Sequence, residues 1–192
     1  MNSSLRLRRA LAMGTNPQSG DLPLLIAQLG KEPDFFVRDM LTWAITRHPV
    51  TTSYPLLVRA LDNPDGRSQV LHTLSKLAHP DTWSVITAAM LHDEDIEVRT
   101  TAWRVAVAAV PDNQVDYLVA ELIQELGRGD IDTQRSLSRA LASLSFASRN
   151  RVAALATHAR HVLALMDNPD AHDELSSDFA RKLAALGPDG QD

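Results

Sequence analysis

One pattern constrains this chain more than any other: an acidic turn, then Val-Arg, then apolar residues at helical spacing. It is clearest in Asp95-Ile-Glu-Val98-Arg99, followed by Ala102, Val105, Ala106 and Ala109. The same design stands upstream as Asp34-Phe-Phe-Val37-Arg38 with Leu41, Ala44 and Ile45, and weaker copies begin at Gly66-Arg67 and Gln134-Arg135. The arginines at 38, 67, 99 and 135 lie 29, 32 and 36 residues apart. Self-similarity at such a period predicts a solenoid of helix pairs joined by loops of varying length.

Within each pair the two helices, A and B, start differently. A-helices follow polar or Pro-containing turns near Asp21-Leu-Pro23, Ser53-Tyr-Pro55, Asp81-Thr-Trp83, Asn113 and Ser148. Proline in a first helical turn removes no intrahelical hydrogen bond. B-helices follow acidic turns at Glu32-Pro-Asp34, Asp62-Asn-Pro-Asp65, Asp93-Glu-Asp95, Asp130-Ile-Asp132 and Asp167-Asn-Pro-Asp170. Those carboxylates complement the positive end of the helix dipole. Breaks at His48-Pro49, His79-Pro80, Val110-Pro111 and Gly187-Pro188 close the units.

The expected fold is all-α, a right-handed α-solenoid of five helical hairpins plus an N-terminal capping helix. The hairpins fall at about 20–49, 50–80, 81–111, 112–145 and 146–188 within one domain, 1–192. Residues 1–19 give the capping helix and a loop, and 189–192 a frayed tail. No strand signal competes, because the Val/Thr-rich pieces keep helical spacing.

Composition narrows the function classes. Cysteine is absent, which excludes disulfides, thiolate metal sites and a cysteine nucleophile. The basic start, Met1-Asn-Ser-Ser-Leu-Arg-Leu-Arg-Arg9, lacks the apolar run of a secretory signal, and no apolar segment is long enough to span a bilayer. A cytoplasmic protein without membrane contact is expected. No P-loop, Gly-rich dinucleotide turn or Gly-x-Ser-x-Gly elbow occurs, so no catalytic residue and no cofactor is assigned.

The motifs Asp95-x-x-Val98-Arg99-x-x-Ala102 and Asp34-x-x-Val37-Arg38-x-x-Leu41 resemble those of HEAT-repeat proteins, including the short HEAT-like repeats of the bilin-lyase branch. The resemblance implies a structural ladder formed by Arg38, Arg67, Arg99 and Arg135, each pairing with a turn carboxylate and bridging to the neighbouring repeat. It also implies that the B-helices line a concave side. The segment Asp34–Pro49 further resembles helical-repeat alkylpurine DNA glycosylases, which implies a lesion-facing place for Trp43. That family also needs an aspartate and an arginine from preceding repeats, and only one hairpin and a cap precede residue 34.

The B-helices are cationic in an acidic chain. Stretches 37–48, 67–78, 98–109 and 134–145 hold eight Lys or Arg residues and one carboxylate, Asp39, whereas the whole chain carries −5. Counting from each anchor arginine places Trp43, His72 and Arg104 at one level, with Arg47 and Lys76 one turn on. Trp103 and Arg139 share the neighbouring position. On a concave face, Trp43, Arg47, His72, Lys76, Trp103, Arg104 and Arg139 would form a basic, aromatic-bearing groove. The expected function is therefore a non-enzymatic scaffold binding an acidic protein or peptide. Nucleic acid, held through phosphate contacts, is the alternative. His158 and His161 share a helix face with Asp167 or Asp173 near them, a weak metal pattern, and no metal site is assigned. Iron-dependent hydroxylases on HEAT scaffolds use repeated His-Glu dipeptides, which this chain lacks.

Overall fold

The computed structural model describes residues 2–144 and, beyond them, residues 153, 155–157 and 160. The chain expected as one domain groups into two compact units, Met1–Arg149 and Asn150–Asp192, and the first is considered by itself. Apart from those five residues, the hairpin expected at 146–188, the tail 189–192 and the His158/His161 pair lie outside the described residues.

Among the described residues every regular element is helical. The α-helices are α1 (Ser3–Thr15), α2 (Asp21–Leu29), α3 (Phe35–Thr46), α4 (Val50–Ala60), α5 (Arg67–Leu77), α6 (Ala88–Leu91), α7 (Ile96–Ala109), α8 (Val115–Ile123) and α9 (Ile131–Ser143). No helix among them is long and apolar enough to cross a membrane.

The acidic turns start the B-helices as side-chain caps. Asp34 accepts from the backbone N–H groups of Phe36 and Val37, Asp95 from those of Glu97 and Val98, and Asp130 from that of Thr133. Each bond satisfies a donor that the first helical turn leaves without a partner. Once begun, each B-helix buries one apolar stripe. Val37, Leu41, Ala44 and Ile45 of α3 recur as Val98, Ala102, Val105 and Ala106 of α7. The A-helices meet these stripes with Leu22, Leu25 and Leu29, with Leu57, and with Leu118, Val119 and Leu122. A fully buried leucine contributes about 1.5–3 kcal/mol, so these stripes supply most of the drive to stack.

Stacking runs from neighbour to neighbour. The row α1, α3, α5, α7, α9 packs in that order, and α2 meets α4 as α6 meets α8. Helix α1, expected as a cap, packs along α3 as a member of the B row. Backbones approach closely where α2 ends and α5 begins. Gly66 has φ +78°, and a Cβ there would lie 2.2 Å from the Cα of Gly30.

Two A-helices depart from the sequence expectation. Helix α4 starts at Val50, not near Ser53, so Pro55 falls in its second turn. The third A-helix is not continuous. A 3-10 segment, Pro80–Val85, leads into extended backbone at Ile86 and Thr87, and only then does the four-residue α6 follow. The run Val85-Ile86-Thr87 is β-branched throughout, which disfavours helix, and the Thr87 hydroxyl accepts from Met90 N–H to begin a new one.

Candidate functional site

The arginine ladder is built chiefly on backbone carbonyls. Arg38 donates to the carbonyl of Glu32 at 3.1 Å, Arg67 to that of Leu61 at 2.9 Å and Arg99 to that of Asp93 at 2.6 Å. In every case the acceptor stands six residues earlier, so the guanidinium ties the loop before the helix to its first turn. In the last described repeat Gln134 makes this contact, donating to the carbonyls of Arg128 and Glu125. Arg135 does not; it lies exposed and pairs with Asp132 on its own helix at 2.9 Å. The sequence reading chose the arginine and missed the register. Leu137, Ala140 and Leu141 are buried, and they place Gln134 at the anchor position.

The bridge to the next repeat is real at two of the four assigned arginines. Arg67 reaches Asp93 at 3.2 Å and Arg99 reaches Glu125 at 3.5 Å, each 26 positions ahead. Arg6 of α1 makes a third such rung with Glu32, 2.7 Å away and also 26 positions ahead. Arg38 pairs with no carboxylate among the described residues; 26 positions ahead of it stands Pro64. The hydrogen bonds from Arg6 hold the Glu32 carboxyl below its ordinary pKa, against the opposing effect of burial.

Helices α3, α5 and α7 together border an open hollow of about 370 Å³. Its charged lining is Arg38 and Asp39 from α3, Lys76 from α5, and Glu97 and Arg104 from α7, with His72 between. Thr42, Ser68, Thr100 and Thr101 supply hydroxyls, and Phe35 stands at one edge. Arg38, Asp39 and Glu97 stand near the starts of their helices, Lys76 and Arg104 further along. Glu97 lies in the first turn of α7 and Lys76 in the last turn of α5, as the helix dipoles favour. Neither Lys76 nor Arg104 is ion-paired within the described residues; Arg104 donates to the Thr101 hydroxyl at 2.8 Å. Burial, then the nearby cations Lys76 and Arg104, lower the His72 pKa below its ordinary value and favour the neutral ring.

The remaining groove candidates stand elsewhere. Trp103 is wholly buried, and its indole N–H donates to the carbonyl of Leu91 at 2.9 Å. A four-residue helix leaves its last carbonyls without intrahelical donors, and the indole supplies one. Trp43 lies against α1, where a Cβ on Gly14 would come within 2.2 Å of its ring. It shares the level of His72 and Arg104, but that side of α3 faces α1 and not α5. Part of its ring thus packs on α1, while the residue as a whole stays 37% exposed. Arg47 caps the C-terminus of α3, Arg139 is exposed on α9, and neither lines the hollow.

A second polar cluster escaped the sequence reading. His92 at the end of α6 contacts Glu125 at 2.6 Å through Nδ1 and Glu121 at 2.8 Å through Nε2. Burial opposes the imidazolium, but hydrogen bonds to Glu125 and Glu121 outweigh it and raise the His92 pKa. The spacing Glu121-x-x-x-Glu125 faces one histidine from the neighbouring A-helix, a long-range pairing that one sequence does not reveal. No group of three His, Asp or Glu side chains among the described residues is arranged to hold a metal ion.

Residues 22–108, which span α2 to α7, match the family model for HEAT repeats. This stretch carries HEAT repeats. No curated protein and no solved structure matches it. HEAT repeats generally mediate protein interactions, and the hollow lies within the matched span. Helices α8 and α9 continue the HEAT design one unit further, with Gln134 in place of the arginine.

Proposed function

We propose that this chain is a non-enzymatic interaction module that seats an acidic side chain of a partner protein in the hollow of α3, α5 and α7. The observation that carries this reading is the pair Lys76 and Arg104, which share one concave site and lack a counter-ion among the described residues. A carboxylate placed between them gains charge-assisted hydrogen bonds without displacing an existing pair. Thr101 and Ser68 offer further donors at the same wall. Asp39 and Glu97 repel a uniformly acidic chain at the other end, so the site suits a local acidic group rather than a polyanionic backbone.

A labelled peptide with one Glu-Glu pair in a neutral Gly/Ser frame and a short DNA duplex, each titrated against the chain at low and moderate salt, test the proposal. The peptide is expected to bind, and Lys76→Glu/Arg104→Glu to weaken it at least about tenfold. Peptide binding that survives the double substitution discards the hollow. Duplex binding that falls steeply with salt would replace the reading by a phosphate-contact one. Because a carboxylate guest favours protonated His72, whose pKa is lowered, peptide affinity should rise as pH drops below about 6.5.

A further inference from the structure

Three of the B-helices open on an exposed apolar residue, an observation separate from the Lys76 and Arg104 pair although Phe35 also borders the hollow. Phe35 opens α3, Ile96 opens α7 and Ile131 opens α9, and each stands three positions before the residue that ties back to the loop carbonyl. They are 67%, 41% and 66% exposed, and Phe36 beside the first is 73% exposed. At the same place before α5 stands Pro64, also exposed. One edge of the B row therefore presents an apolar side chain at the start of α3, α7 and α9, with Pro64 in the loop before α5.

The acidic residues around them have a structural reason to be there, since they cap helices and face the positive dipole ends. The apolar ones have none: they cap nothing and are not buried, so their recurrence calls for something that covers them. Asp39, Glu94 and Glu97 are exposed along the same edge, beside the Asp132–Arg135 pair, which makes the ridge apolar and anionic at once. An anionic ridge repels acidic lipid and acidic peptide and attracts a basic partner. Packed helices lie roughly 8–10 Å apart, and a heptad of helix rises roughly 10 Å. A partner helix crossing the row thus brings one apolar residue per heptad to each ridge position.

We infer that the N-terminal edge of α3, α5, α7 and α9 is a docking ridge for a basic amphipathic helix of a partner protein, seated on Phe35, Ile96 and Ile131. The ridge carries the opposite charge preference from the hollow and is tested separately.

The probe is a labelled synthetic helix of about 18 residues with Leu at heptad a and d positions and Lys on its polar face, titrated against the full chain by anisotropy. One control peptide replaces Lys by Glu and another replaces Leu by Ser. The Leu/Lys peptide is expected to bind, each control at least about tenfold more weakly. Phe35→Ser/Ile96→Ser should weaken the Leu/Lys peptide at least about tenfold, while Lys76→Gln/Arg104→Gln does not weaken it. Phe36→Ser/Ile131→Ser repeats the test on other exposed positions should the first pair unfold. Equal binding of the Ser/Lys control reduces the effect to charge alone and overturns the proposal. Absence of binding, or binding indifferent to both serine pairs, also overturns it. A dimer dissolved by Phe35→Ser/Ile96→Ser would show the ridge covered by a second copy and likewise defeat the partner assignment.

Discussion

At the scale of single residues, Gln134 and Arg135 show how identity and register compete. The anchor needs a donor able to reach a carbonyl six residues back, and arginine does this three times. An amide does it at Gln134, so a search for arginine selects the wrong neighbour. Gln134→Ala is expected to cost about 1–2 kcal/mol, because it leaves carbonyls near the Arg128 turn without donors. Arg135→Ala should change stability by no more than about 0.5 kcal/mol, since its pair with Asp132 is exposed on both sides. Urea unfolding of the two variants separates the positions. His92 gives the residue scale a pH dependence. Its pKa is raised in the folded chain, so the stabilisation from Glu121 and Glu125 is fully present below about pH 6.5 and is lost as pH climbs through the folded value. The thermal midpoint of the wild type should therefore fall on alkalinisation through that range. His92→Gln, lacking a charge to lose, should show a flatter profile.

At the scale of elements, the helices most legible in the sequence are those with a capping aspartate and an uninterrupted apolar stripe, such as α3 and α7. The third A-helix was not legible because its apolar positions keep a helical period while Val85, Ile86 and Thr87 favour extended backbone. Period reports which residues turn inward; local stiffness decides whether the turn closes. Trp103 then occupies the core beside the short helix, bound to the carbonyl that this helix leaves open. Trp103→Ala should destabilise by roughly 3–5 kcal/mol, and Trp103→Phe by less, with the indole hydrogen bond as part of the difference. Calorimetry on both variants checks the order; equal losses would remove the Leu91 contact from the account. Gly66→Ala is expected to cost roughly 2 kcal/mol or more, as it combines a left-handed backbone with a clash against Gly30 backbone that no side-chain rotation relieves.

At the scale of the molecule, cationic B-helices were visible in composition, but their common destination was not. Residues at one level of successive helices face the seam before their own helix. His72 and Arg104 consequently meet in the hollow, while Trp43 meets α1. Seam geometry depends on which helix precedes, and α1, expected as a capping helix, packs on α3 within the row. Neighbour-only stacking also predicts how substitutions combine. Gly66→Ala and Gln134→Ala lie at the starts of α5 and α9, with α7 between, and their stability losses should add within about 0.5 kcal/mol in chemical unfolding.

The joint between α3 and α5 differs from the others in the absence of an acidic partner for Arg38. It is held by the buried Thr42–Thr73 hydroxyl pair, 3.0 Å apart, and by glycine backbones in contact. Attraction between opposite charges weakens in concentrated electrolyte, whereas steric fit and neutral hydroxyl contacts hardly respond. Rising ionic strength should therefore loosen the array unevenly, relaxing the α1–α3, α5–α7 and α7–α9 junctions before this one. The least salt-responsive segment would then be the four helices α2 to α5, a brine-tolerant kernel inside a softer stack.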